Sequence, residues 1–173
     1  MIIVVMGVSG CGKSTVAEAL ARRTGGEFID ADSYHPKANV EKMSHGIPLT
    51  DEDRAGWLDV LSSLLRQRSG ADRPVVLACS ALKESYRQRL RVSSDVRFVH
   101  LKGSYEVLLA RMQARSNHFM RPELLKSQFA TLEEPVDALT FDVSLPVDTI
   151  VDRIVETLAA TPDGLGFLKR TGV

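Results

Sequence analysis

The chain has 173 residues, 44% of them hydrophobic, with 22 basic against 22 acidic side chains and a formal net charge of zero. One domain over residues 1–173 with a sizeable core is expected, and the broad basic footprint of a nucleic-acid-binding protein is absent. Cys11 and Cys79 are far apart with no metal-type spacing, and the first apolar run, MIIVVM, is too short for a signal peptide or a membrane span, as is every other run. These features lead us to expect a soluble, reduced, cytoplasmic protein with no membrane partner.

MIIVVM is continuous rather than alternating, the pattern of a parallel strand buried on both faces. STVAEALARRT follows as a helix that stops at Gly25 and Gly26, and EFIDAD is a short second strand. The stretch from Asp30 to Arg54, DADSYHPKANVEKMSHGIPLTDEDR, is crowded with polar groups, and Pro36, Gly46 and Pro48 keep much of it from being regular helix. Thr50 with Asp53 resembles a capping box opening a helix that carries Trp57, Leu58, Leu61, Leu64 and Leu65 on one face.

PVVLACS reads as a third strand, with Ser80 a candidate cap for the helix ALKESYRQRLR, and VRFVHLK as a fourth. SYEVLLARMQAR is helical; SNHFMRP interrupts; Pro122 suits the first turn of a helix reaching about Leu132. LTFDVS is a fifth strand, and Val147, Ile150, Val151, Ile154, Val155 and Leu158 recur at helical spacing in the last helix. The tail, residues 161–173, has no strong pattern. This alternation predicts an α/β fold: a parallel five-stranded sheet with helices on both faces, whose ligands sit at the carboxyl ends of the strands.

GVSGCGKST, Gly7 to Thr15, fits G-x-x-x-x-G-K-S/T between a buried strand and a helix, the context that makes a P-loop. Gly7, Gly10 and Gly12 permit backbone approaches that a Cβ obstructs. The N–H groups of the loop, Ser9, Cys11 and Thr15 included, then surround nucleotide phosphates at the helix N-terminus. Lys13 reaches the β- and γ-phosphates and the Ser14 hydroxyl ligates Mg²⁺, so ATP and Mg²⁺ are the expected co-substrate and cofactor. The thiol of Cys11 occupies a variable position and carries no assigned chemistry.

A P-loop alone also fits switch proteins and motors, but a compact chain without long insertions favours a small-molecule kinase. Phosphoryl transfer needs an acceptor hydroxyl held in line with the γ-phosphate and relieved of its proton. Asp32, at the end of the second strand, is the candidate to orient that hydroxyl or act as its base; Asp30 lies deeper and serves Mg²⁺-bound water or the fold. His35 has a donor and an acceptor suited to sugar hydroxyls. Lys42, Arg54, Lys83 and Arg87 are the candidate cations around the acceptor. Lys83 and Arg87, four apart, share one helical face, which also fits a plainly solvated one. Ser80 fits either a cap or a substrate contact. A helical lid over about 112–122 would bring Arg111, Arg115 and Arg121 over the triphosphate, with Arg115 stabilising the transition state.

Taken together these motifs resemble the gluconokinase family of P-loop sugar-acid kinases. The matching segments are GVSGCGKST, DADSYHPKANVEKMSHGIPLTDEDRAGWL, ACSALKESYRQRLR, FVHLKG and HFMRPELLKSQFATLEEP, in order from about residue 3 to 160. The run from His35 through Leu58 is far more specific than the P-loop. Shikimate kinases usually carry a glycine triplet where this chain has ACSAL, and adenylylsulfate kinases lack the HP…KM segment. The resemblance implies a nucleoside-monophosphate-kinase-like fold, ATP-dependent phosphorylation of D-gluconate to 6-phospho-D-gluconate, and a homodimer. It supports His35, Arg54, Lys83 and Arg87 as substrate contacts and adds His118 and Gln128 from the last matching segment. Two departures, Cys11 for a common serine and Gly56 for a common proline, touch no assigned role. Alternatives are a kinase for another hydroxy acid or a non-catalytic nucleotide-dependent switch.

Overall fold

The computed structural model describes residues 1–114 and 122–161. Its five strands are β1 (Ile2–Met6), β2 (Glu27–Asp30), β3 (Val75–Ala78), β4 (Val96–Lys102) and β5 (Leu139–Asp142). They form one sheet in the order β2-β3-β1-β4-β5, every neighbouring pair parallel. The helices are α1 (Lys13–Thr24), α2 (Lys37–Ser44), α3 (Asp51–Arg68), α4 (Glu84–Leu90), α5 (Tyr105–Ala114), α6 (Pro122–Thr131) and α7 (Val147–Ala159), with a 3₁₀ turn at Ala31–Tyr34. Among these none is long and apolar enough to cross a membrane.

The side-chain period of two splits β1 between two cores. Ile3 and Val5 pack with Val16, Leu20, Ile154 and Leu158 of α1 and α7, while Ile2, Val4 and Met6 pack with Trp57, Leu58, Leu61 and Leu65 of α3. Because β1 is buried on both faces, its run is apolar throughout. Gly25, at φ 62°, closes α1 with its N–H returned to the carbonyls of Ala21 and Arg22, as its place after the helix predicted.

The central strand lies between β3 and β4, and the chain leaves it in one direction for β2 and later in the other for β4. That reversal opens a crevice beyond the carboxyl ends of β1, β3 and β4, where the P-loop follows β1.

Three local expectations are corrected. The second strand ends at Asp30, and the 3₁₀ turn carries Asp32. The Asp30–Arg54 stretch holds a regular eight-residue helix, α2, because Pro36 is its N-cap and Gly46, at φ 74°, lies just past its end; the breakers bracket the helix rather than interrupt it. Ser80 does not cap α4, whose N-cap is Lys83.

Candidate active site

The P-loop passes from β1 to α1 with Gly7, Gly10 and Gly12 at φ 142°, 79° and 94°. A Cβ on Gly7 would lie 2.7 Å from the carbonyl oxygen of Leu101, so the close passage over β4 requires glycine. Gly7 donates its N–H to the Ser80 carbonyl at 3.4 Å, joining the P-loop to the loop after β3. Lys13 curls back to donate to the Val8 carbonyl at 3.1 Å. Ser14, one residue into α1, donates its hydroxyl to Asp30 Oδ2 at 3.1 Å, so the end of β2 meets the first turn of α1.

Two helices support this loop. Met112 of α5 packs against Gly10, and Arg111 Nη2 donates to the Val143 carbonyl at 2.7 Å after β5. Gln128 of α6 accepts the Ser9 N–H at 2.7 Å. Burial pushes the Cys11 thiol up, away from the reactive thiolate. Arg115, His118 and Arg121, and with them most of the expected lid, lie outside the described residues.

Across the crevice, Asp30 accepts the Asp32 N–H at 3.0 Å, and the Asp32 side chain is 59% exposed, turned to the open space. His35 is held beneath it with a side chain only 4% exposed. Its ring stacks on Trp57 at 4.2 Å and 14°, and the Trp57 indole N–H donates to the Ala31 carbonyl at 2.8 Å. Its Nε2 points at Asp32 Oδ1, 3.9 Å away. Burial lowers the His35 pKa, Asp32 opposing and Arg54 adding to that shift, so the imidazole is neutral at pH 7.

Lys42 and Lys83, the lysines expected to face the acceptor, are paired with acids at the start of α3. Lys42 donates to Asp53 Oδ1 at 2.7 Å, and that bond, with those to Thr50, pulls the Asp53 pKa down to about 2. Asp53 also completes the expected capping box with Thr50. Lys83 donates to both oxygens of Asp51 at 2.8 Å, which lowers the Asp51 pKa and raises that of Lys83. Tyr86 also donates its hydroxyl to Asp51, and burial raises its pKa. Arg54 and Lys83 lie over the Tyr86 ring at 5.6 and 5.7 Å. Arg54 reaches back to the Leu49 carbonyl and lines a recess with Met43, Pro48, Leu124 and Gln128.

Contacts among the turn after β2, α2, α3 and α4 thus link Asp32, His35, Lys42, Arg54 and Lys83, while Ser80 meets the P-loop through its backbone carbonyl and Gln128 meets both the Ser9 N–H and the recess lined by Arg54. The structure removes Arg87 from the acceptor set. Arg87 is 1% exposed and donates to Glu84 Oε2 and to the carbonyls of Ala81 and Leu82 at 2.8–3.1 Å. Those carbonyls belong to a turn in which Ala81 adopts φ 43°, a left-handed conformation uncommon outside glycine. Arg87 holds that turn and offers no free face to a ligand. Sequence reasoning missed Asn39, Asp51, Asp53, Trp57 and Tyr86 as partners of the candidate residues; the i, i+4 spacing of His35 and Asn39 was the available signal for one of them.

A family model described as an AAA domain matches residues 2–139. A gluconokinase of Gluconobacter oxydans (strain 621H) is 54% identical over 136 residues, covering 78% of this chain and 76% of its own. A probable gluconokinase of Xenopus tropicalis is 44% identical, with 94% of each chain covered. Among solved structures, an unliganded sugar kinase from Janibacter sp. HTCC2649 superposes with a TM-score of 0.86 at 43% identity, covering 94% of this chain and 96% of its own.

Proposed function

The chain belongs to the gluconokinase family, and on that premise we propose that it transfers the γ-phosphoryl group of ATP to D-gluconate, giving 6-phospho-D-gluconate. The observation that carries the reading is the crevice itself: a P-loop with Lys13 and Ser14 on one wall faces Asp32 on the other, with the polar and cationic groups of α2, α3 and α4 beside it.

In this reading the P-loop N–H groups and Lys13 hold the phosphates, and Lys13 swings from the Val8 carbonyl to meet them. Asp32 accepts a hydrogen bond from the acceptor hydroxyl, lines it up with the γ-phosphorus and takes its proton as the new P–O bond forms. The group leaving from phosphorus is ADP. Arg54, with Lys83, receives the gluconate carboxylate, and His35 meets a neighbouring hydroxyl. Gln128 sits between the acceptor recess and Ser9, where the two substrates meet.

Mg²⁺ fits the residues present. Ser14 and Asp30 place a hydroxyl and a carboxylate oxygen 3.1 Å apart, and Mg²⁺ takes few protein ligands when phosphates and water complete its octahedron. Ser14 would bind the ion directly and Asp30 through its water, and the ion when bound neutralises charge on the β- and γ-phosphates. Arg111, on α5 beside the P-loop, is proposed to meet the nucleotide phosphates, Arg115 to stabilise the transition state, and His118 to contact the substrate. Family membership also motivates a homodimer in the cytoplasm, the first testable by sedimentation.

The test is ADP release coupled to a spectroscopic readout across a panel of sugar acids. Gluconate is expected to drive release far above the acceptor-free rate, with shikimate and other aldonates giving lower kcat/KM. Release that ignores gluconate returns the protein to the switch reading, and a preference for another hydroxy acid reassigns the acceptor.

A further inference from the structure

Asn39 is an amide on α2, 3% exposed. A buried amide of this kind must find partners or destabilise the fold. Its Nδ2 lies 2.8 Å from the Asp53 backbone carbonyl and 3.3 Å from His35 Nδ1. The carbonyl can only accept, so the atom facing it is the NH₂ group, which fixes which way the amide points. The second N–H of that group then points at His35 Nδ1, which must accept. A neutral imidazole that accepts at Nδ1 carries its proton on Nε2. That nitrogen is the one pointing at Asp32.

We propose that Asn39 is a positioning residue that holds His35 in the tautomer carrying its proton on Nε2, so that His35 and Asp32 offer one donor and one acceptor side by side to hydroxyls of the acceptor. The 3.9 Å between Nε2 and Asp32 Oδ1 is too long for a hydrogen bond and leaves both groups available to a third partner. The acceptor hydroxyl donates to Asp32 while its neighbour accepts from the His35 Nε2–H, a pairing that orients the two hydroxyls together. Trp57 keeps the imidazole plane fixed by stacking, and is itself tied to Ala31. A polyol has such hydroxyls on adjacent carbons, so the same pair contributes to recognising the substrate class.

The functional half of this inference rests on the proposed reading that Asp32 and His35 face the acceptor; the tautomer itself does not. Charged groups facing the imidazole are Asp32 from its own turn, Arg54 from α3, and the Asp53–Lys42 pair reached through Asn39.

The experiment has two readouts. First, ¹⁵N NMR of the imidazole in the wild-type protein at pH 7 is expected to show His35 protonated at Nε2 and bare at Nδ1; an Nδ1–H signal overturns the inference whatever the enzyme's substrate. Second, Asn39→Asp keeps the size of the side chain but cannot donate, so Nδ1 must bind a proton. In that variant kcat/KM for gluconate should fall about tenfold at pH 7, the scale of one hydrogen bond, with KM for ATP unchanged. The acid limb of its pH profile should move to higher pH as the imidazole gains a carboxylate partner. A wild-type tautomer as stated, with gluconate kinetics and pH profile unaltered in Asn39→Asp, overturns the positioning role and leaves the kinase reading standing. Loss of gluconate-dependent ADP release in the wild type instead sinks the kinase reading and leaves the tautomer intact.

Discussion

The two walls of the crevice are built differently. The phosphate wall is backbone: a glycine-rich loop locked between β1 and α1, its Val8, Ser9 and Cys11 all under 8% exposed. The wall proposed to hold the acceptor is side chains, paired with one another across α2, α3 and α4. Phosphate is common to every P-loop protein and is met by N–H groups whose placement depends on chain path. The acceptor distinguishes one enzyme from another and is met by groups that can be exchanged one at a time. A change on the first wall should therefore affect all transfer, and one on the second should separate substrates.

The largest effect is expected where the walls meet over the reacting atoms. Asp32→Asn still accepts a hydrogen bond but takes no proton, and kcat should drop about 10²–10⁴-fold with ATP affinity little changed. An unchanged kcat would make Asp32 a turn residue and leave another group to orient the hydroxyl. On the phosphate wall, Lys13→Ala should lower transfer by about 10²–10³-fold for every acceptor alike, since it removes charge from the transferring group. Rates within twofold of wild type would sink its assignment.

How much of each wall was legible in the sequence follows from the same contrast. The P-loop, β1 and α7 could be placed because spacing and periodicity are properties of the chain path. The capping box at Thr50 was legible for the same reason. Helix α2 was not, because Pro36 and Gly46 read as interruptions when in space they are its ends. The role of Arg87 was hidden too. Spacing placed it with Lys83 on one helical face, but α4 begins only at Glu84, and the guanidinium turns back to carbonyls of the preceding turn. A net charge of zero left room for a small cationic cluster, yet nothing in the order of residues said that Asp53 and Asp51 pair with Lys42 and Lys83.

Two arginines on the acceptor wall now give opposite expectations. Arg54→Leu should raise the gluconate KM about 10- to 100-fold, the worth of a charge-assisted hydrogen bond to carboxylate, with the ATP KM unmoved. It should also shrink the preference for gluconate over glucose and sorbitol, which carry no carboxylate to pair with the site's cations. Arg87→Leu should leave that preference alone and lower stability instead, by about 1–3 kcal/mol for the carbonyls left unpaired. Glu84, its acid partner, is 43% exposed and can turn to water, so the cost stays below that of a fully buried pair. Urea melts and KM values for both variants test the split; a gluconate KM that responds to Arg87 and not to Arg54 would reverse the two assignments.

The smallest effect concerns the pairs that keep the acceptor lysines neutralised, and pH is the variable that resolves it. Asp53 accepts from Lys42 and from the Thr50 N–H, and these bonds favour its ionised form, bringing its pKa from 3.8 to about 2. The group binds a proton more readily unfolded than folded, so its contribution to stability is present above the unfolded value and is lost as pH falls through the folded one. Asp53→Asn removes that titration while keeping the size of the cap. The stability difference between wild type and Asp53→Asn should then be constant from neutral pH down to about pH 5, shrink below 3.8 and close as pH approaches about 2. Asp51 is shifted in the same direction by Lys83 and titrates in both proteins, so it cancels in the comparison. Urea melts of the pair at steps from pH 7 to pH 3 make the measurement. A difference that stays flat to pH 3 would show that neither Lys42 nor the cap favours the ionised carboxylate in solution; a difference that narrows in the wild-type background and less so in a Lys42→Met background would place the Lys42–Asp53 bond in the folded protein, the remainder belonging to the Thr50 cap.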